Sequence, residues 1–225
     1  MKKLMFYCQH ILGIGHLVRS MEIVRGLLPD FEVCFINGGE VVPGFQVPAG
    51  VHVVNLPAIK TDAEFRSLQG VDGRHLETLE SERRKILLTV FELYQPDLLM
   101  IELFPFGRRR FSFELIPLLE RARQGSTRVV CSLRDIVVTK QDRVRHEEKV
   151  CKLINRYFDQ VLIHGDPQFQ PLEESFSRVA DLTCQVHYTG YVVQPVDPLA
   201  DQATGPDDGP FLLVSVGGGR FGHEL

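Results

Sequence analysis

No apolar run in this 225-residue chain approaches the roughly 20 residues that a membrane-spanning helix requires. No C-x-x-C pair is present. The five cysteines (Cys8, Cys34, Cys131, Cys151 and Cys184) are scattered and odd in number, which supports neither a zinc site nor a disulfide framework. Charge of one sign is not in excess: 25 Lys and Arg stand against 29 Asp and Glu, and this mildly acidic balance argues against bulk nucleic-acid binding. The N-terminus has a basic start, Lys2-Lys3, but the apolar run after it meets Gln9-His10 at once, so it reads as a first strand and not a secretion signal. No D-x-D-like acidic triplet falls at a strand end, and His52, His75, His146 and His187 lack metal-ligand spacing, so no metal is expected. Scattered thiols without a leader point to a reducing cytoplasm.

Against these absences stands a regular alternation. Short apolar, β-branched runs occur at 4–8, 32–36, 51–56, 97–103, 128–133, 160–164 and 185–189. Helical stripes lie between them: Leu17, Met21, Val24 and Leu28; Leu76, Leu79, Ile86, Leu87, Val90, Phe91 and Tyr94; Leu115, Leu118 and Leu119; and a fourth within 144–158. Strands this poor in polar residues are buried on both faces, as in a parallel sheet covered by helices. The alternation predicts an α/β, Rossmann-like, doubly wound parallel sheet of about seven strands over residues 1–191. Residues 192–210 are rich in Pro, Asp and Gly without periodicity and read as a linker. Residues 211–225, a fresh apolar strand followed by Gly217-Gly218-Gly219, read as the start of a second, truncated domain.

Doubly wound sheets hold ligands at the carboxyl ends of their strands, so the candidate residues are sought there. The first strand leads into Gly13-Ile14-Gly15-His16-Leu17-Val18-Arg19. A dinucleotide fingerprint needs a third glycine where Val18 stands, and an acid at the end of a second strand that closes here on Asn37-Gly38-Gly39. The turn still lets backbone approach a ligand and sets a helix start against an anion. His16 at that start is expected to be neutral near pH 7 and able to accept a proton, or else to cap or pack. Glu102 ends the fourth strand and is a candidate base, or the ion-pair partner of Arg108-Arg109-Arg110. Arg134 and Asp135 end the fifth, and His164 the sixth, where it lines a cleft or closes a turn. The arginine cluster, flanked by Phe104, Phe106 and Phe111, reads as a solvated basic loop over buried phenylalanines. The alternative is an acceptor phosphate site, with membrane contact if the acceptor is lipid-linked. The long 57–73 connection is either a binding loop or a surface excursion.

"GIGHLVRS" resembles the first loop of GT-B glycosyltransferases related to the peptidoglycan N-acetylglucosaminyltransferase. "VHYTGYVVQP…GPFLLVSVGGGRFG" is similar to that family's last N-domain strand, linker and donor-phosphate loop. "GHLVRS", "IELFPFGRRRF", "SLRDI" and "LIHGDP" are similar to an uncharacterised group of bacterial predicted glycosyltransferases. The first loop is shorter than the peptidoglycan enzymes' by a glycine, and their His-Glu-Gln-Asn signature is replaced by Ser132-Leu133-Arg134-Asp135. The resemblance implies an acceptor-side domain of an enzyme moving a sugar from a nucleotide-diphosphate sugar to a hydroxyl, with no cofactor. His16, Glu102 and Asp135 would be catalytic. Gly13, Gly15, Arg19, Arg134 and His164 would face the acceptor, and Gly217, Gly218 and Gly219 the donor. The isolated chain would be inactive. G-x-G-H-x-x-R also resembles a nucleotide-sugar hydrolase of the same fold, and a non-enzymatic module holding a small anion is the reading from another class.

Overall fold

The computed structural model describes residues 1–10, 14–61, 68–70, 74–138 and 142–195. Gly13, Gly217, Gly218, Gly219 and the 211–225 segment lie outside the described residues, as does the linker from residue 196 onward.

In chain order the elements are β1 (Lys2–Cys8), α1 (Gly15–Leu27), β2 (Phe31–Asn37), β3 (Val51–Asn55), β4 (Ile59–Thr61), β5 (Leu68–Gly70) and α2 (Leu76–Tyr94). They continue with β6 (Leu98–Glu102), α3 (Ser112–Arg123), β7 (Arg128–Arg134), α4 (Arg143–Tyr157), β8 (Gln160–His164) and β9 (Gln185–Tyr188). Seven strands form one sheet in the order β3-β2-β1-β6-β7-β8-β9, and every neighbouring pair is parallel. All seven expected strands are present. The expectation missed the antiparallel pair β4–β5, which sits inside the 57–73 connection; each of its strands has three residues, too few to show a period.

Side-chain alternation divides the core. Met5, Tyr7, Ile101, Cys131, Leu133, Val161 and Ile163 pack under α2, α3 and α4, through Leu79, Leu87, Phe91, Leu115, Leu118, Leu119, Val150 and Ile154. Leu4, Phe6, Cys8, Phe35, Met100 and Val130 face the other way, onto Leu17, Met21 and Val24 of α1. The helical stripes read from spacing are therefore the buried faces, and the fully apolar strands are buried because helices cover both sides.

Strand order reverses between β1 and β6. β1 to β3 run outward one way and β6 to β9 the other, so the connections leaving β1 and β6 diverge and open a crevice at the carboxyl end of the sheet. The α1 connection follows β1, and Glu102 is the last residue of β6.

Candidate active site

Period-2 geometry sends Glu102 to the α1 side of the sheet, in line with Met100, and Ser132 and Arg134 of β7 and His164 of β8 share that side. α1 begins at Gly15, so His16 occupies its first turn and Arg19 lies one turn on. The switch point thus brings two strand ends and one helix start together.

His16 Nδ1 lies 2.7 Å from Glu102 Oε1, and Arg19 donates to the same oxygen at 2.6 Å. Glu102 is fully buried, whereas the His16 side chain keeps 22% of its surface exposed. A carboxylate only accepts, so Nδ1 carries the proton. In the neutral ring Nε2 is then the basic nitrogen, and it forms no hydrogen bond among the described residues. Glu102 Oε2 is buried without a partner. The site is a histidine oriented by a buried carboxylate, with a free nitrogen on its open side.

The other sequence candidates are placed as follows. Arg19 is the second partner of Glu102. Gly15 is the first residue of α1, and a β-carbon there would meet nothing within 4 Å. His164 Nε2 is 2.8 Å from Ser132 Oγ and its Nδ1 is 2.8 Å from Thr189 Oγ1. Both ring nitrogens are engaged, and the residue is 5% exposed. Burial, and then the Arg19 charge, lower its pKa to about 4. Arg134 Nε lies 3.7 Å from Asp135 Oδ1, and neither residue hydrogen-bonds to the His16–Glu102 pair. Asp135 packs instead against Gly165, where an added β-carbon would come within 2.8 Å of it. Phe104, Phe106 and Phe111 are buried, as read from sequence, and Arg109 and Arg110 are exposed. All five cysteines are free; burial pushes Cys8 up to about 12 and Cys34 up to about 11, which removes them as nucleophiles. No described helix is long and apolar enough to cross a membrane.

No family model matches this sequence, and no curated protein matches it. Solved structures do. A Phytolacca americana UGT2, complexed with UDP-2fluoro-glucose and pterostilbene, superposes with a TM-score of 0.54 at 14% identity, over 88% of this chain and 56% of its own. A UDP-glucosyltransferase from Polygonum tinctorium, capable of glucosylating indoxyl, gives 0.55 at 13% identity, over 92% and 55%. A Siraitia grosvenorii ugt transferase in complex with UDP gives 0.51 at 12%, over 90% and 54%.

The fold is that of a GT-B N-terminal domain.

This chain spans little more than half the length of those enzymes. What sequence reasoning missed lies on the opposite face of the sheet, behind the site. Arg83 of α2 is fully buried, and all five of its N–H groups have acceptors. Nε and Nη2 bind both oxygens of Glu114, at 2.8 and 2.7 Å. Nη1 donates to the carbonyls of Gly38 and Pro57, at 2.9 and 2.7 Å, and Nη2 also reaches Gln9 Oε1 at 2.8 Å. The Tyr7 hydroxyl donates to Glu114 as well. One guanidinium therefore ties the ends of β1, β2 and β3 to α2 and α3. The available signal was a charged residue within the apolar stripe Leu79, Leu87, Phe91.

Proposed function

We propose that this chain is the acceptor-side half of a glycosyltransferase that moves a sugar from a nucleotide-diphosphate sugar to a hydroxyl. The observation that carries the reading is the 2.7 Å contact between His16 Nδ1 and Glu102 Oε1 at the switch point. The GT-B fold and the "GIGHLVRS" resemblance to the peptidoglycan N-acetylglucosaminyltransferase relatives support it.

In this mechanism the acceptor hydroxyl sits against His16 Nε2. As its oxygen forms a bond to the anomeric carbon, the bond from that carbon to the diphosphate oxygen breaks, and the hydroxyl proton passes to Nε2. The imidazolium that forms is held between its Nδ1–H and the buried Glu102 carboxylate. Arg19 keeps that carboxylate in place, so the base does not have to find its orientation during the reaction. The leaving nucleoside diphosphate belongs to a donor half, to which Gly217, Gly218 and Gly219 would contribute backbone. The isolated chain therefore lacks turnover. Five free thiols support a reducing, cytoplasmic setting.

The test uses the protein with its donor-binding half. Nucleoside diphosphate release from a panel of nucleotide sugars, with and without hydroxyl acceptors, is followed for wild type and His16→Ala. Acceptor-dependent release that falls at least 100-fold in the variant supports the reading. Release that survives within a few-fold overturns it.

A further inference from the structure

The α1 side of the sheet changes character at its carboxyl edge. Phe35 of β2, Val53 of β3, Met100 of β6 and Val130 of β7 are apolar on that face, and the next residues on it are Asn37, Asn55, Glu102 and Ser132. Register aligns these polar positions. Asn55 pairs with Asn37, Asn37 with Cys8, and Glu102 with Ser132, while Tyr7 pairs with Ile101, which sets Cys8 level with Glu102. The carboxylate behind His16 is one member of a row that crosses the sheet from β3 to β7.

The two ends of that row are finished differently. Toward β8 the polar groups satisfy one another: Ser132 Oγ is 2.8 Å from His164 Nε2, and both residues are buried. Toward β3 the ties run outward. Asn37 Oδ1 accepts from His10 Nε2 at 3.0 Å and from Gly39 N at 3.3 Å, and Asn37 Nδ2 donates to Asn55 Oδ1 at 2.9 Å. These bonds set the orientation of both amides. Asn37 is buried, whereas Asn55 is exposed, and its Nδ2 forms no hydrogen bond among the described residues. The row therefore ends in an amide whose two N–H groups are free to donate.

The backing of that amide is stiff. A β-carbon on Gly38 would overlap Gln9 Oε1, and one on Gly39 would overlap the His10 carbonyl, so the segments that follow β1 and β2 fit without slack. Arg83 holds Gln9 Oε1 and the Gly38 carbonyl from behind, at 2.8 and 2.9 Å. A donor that is already oriented binds without the ordering cost of a mobile side chain.

We infer that the acceptor is an uncharged saccharide of at least two rings, with its reacting hydroxyl at His16 and a hydroxyl of a further ring held by the Asn55 amide. The word acceptor rests on the transferase reading; the saccharide site is tested without turnover. Three strand spacings separate β3 from β6, ~14 Å, which is more than a single sugar ring spans. The row positions between Asn55 and Glu102 are Asn37 and Cys8, neither of them charged, and a neutral amide donor suits a hydroxyl oxygen. A site built to hydrogen-bond hydroxyls discriminates against compounds that lack them.

The experiment titrates cellobiose, maltose and diacetylchitobiose into the isotope-labelled 225-residue chain, with methyl glucoside as the single-ring control. It reads the dissociation constant and the side-chain amide signal of Asn55, assigned by its loss in Asn55→Ala. At least one disaccharide is expected to move that signal and to bind at least tenfold more tightly than methyl glucoside. Asn55→Ala should weaken that disaccharide at least tenfold while its unfolding midpoint stays within a few degrees of wild type, since the side chain is exposed. His16→Ala should keep disaccharide binding within a few-fold while losing turnover in the protein with its donor half. Absence of disaccharide binding overturns the inference, as do equal binding of methyl glucoside, an Asn55 signal that stays in place, or an affinity unchanged in Asn55→Ala. The expected binding pattern without turnover from any nucleotide sugar would overturn the transferase reading and leave the saccharide site standing. Turnover with a hydroxyl acceptor that is not a saccharide, and no saccharide binding, would do the reverse.

Discussion

Glu114 holds the Arg83 guanidinium with both carboxylate oxygens, in a place where neither side chain touches solvent. A buried pair of this kind is worth little against an apolar replacement of both partners, but removing one partner strands the other. Arg83→Met is therefore expected to cost about 3–5 kcal/mol, measured by denaturant unfolding. The loss should include a looser carboxyl edge, since the Gly38 and Pro57 carbonyls and Gln9 lose their donors too. Arg83→Met combined with Glu114→Leu should be less destabilising than the sum of the two single changes. Simple additivity would mean that the two side chains do not act as a pair.

At the site itself, His16→Ala in the protein with its donor half is expected to lower turnover by roughly 10²–10⁴-fold. Its unfolding midpoint should barely move, because the side chain is part exposed and caps no helix N–H. Glu102→Gln should lower turnover too. It should also destabilise the fold, since it removes the carboxylate that Arg19 and His16 share in a buried setting. A His16→Ala variant that loses stability and keeps its rate would assign the histidine to packing.

His164 ties stability to acidity. Its pKa is held to about 4 in the folded chain and returns to near 6.5 when the chain unfolds. As pH falls below 6.5, the unfolded state takes up the proton first, so stability is full above that pH, drains away down to about pH 4, and stops changing with this group below it. A shift of this size corresponds to a few kcal/mol at most, by the usual conversion of about 1.4 kcal/mol per unit. His164→Asn should flatten the stability profile over that window. Buried His146, also lowered by burial, leaves a smaller slope of the same sign. Urea midpoints measured from pH 7.5 to 4 read both.

Two glycines should respond to very different degrees. Gly39→Ala places a β-carbon 2.3 Å from the His10 carbonyl oxygen and 2.6 Å from its ring, so backbone must shift, at a cost of about 1–3 kcal/mol. Gly15→Ala meets open space in the first turn of α1 and should change stability by less than about 1 kcal/mol. Thermal midpoints of the two variants decide, and equal losses would contradict the packing described.

The strands were legible because each is a continuous apolar run covered on both faces, and the helical stripes because each buries one side. His16 and Glu102 were both legible as strand-end residues. Their contact was not, because nothing local in the sequence says that β6 lies beside β1 and not beside β3; that adjacency comes from the whole sheet. Arg83 and Glu114 stayed hidden for the opposite reason. Each is a charged residue among apolar neighbours on its helix, and only the partner, 31 residues away, makes either one tolerable inside. Arg108 was read with Arg109 and Arg110 as one exposed cluster, whereas the left-handed turn at Arg108 separates it from the two that face water.

The switch point has a consequence in time as well as in space. His16 and Glu102 are 86 residues apart in the chain, and they meet only across the β1–β6 pairing, which joins the two wings of the sheet. Contacts so distant along a chain require closing a long loop before they return any stabilisation, and parallel pairings of this kind form late. The first strand and its helix can be made, and can even be ordered, without the His16–Glu102 contact; that contact appears when the central pairing closes. A chain able to take a proton at Nε2 with Nδ1 held by carboxylate is therefore one whose two wings have already been joined.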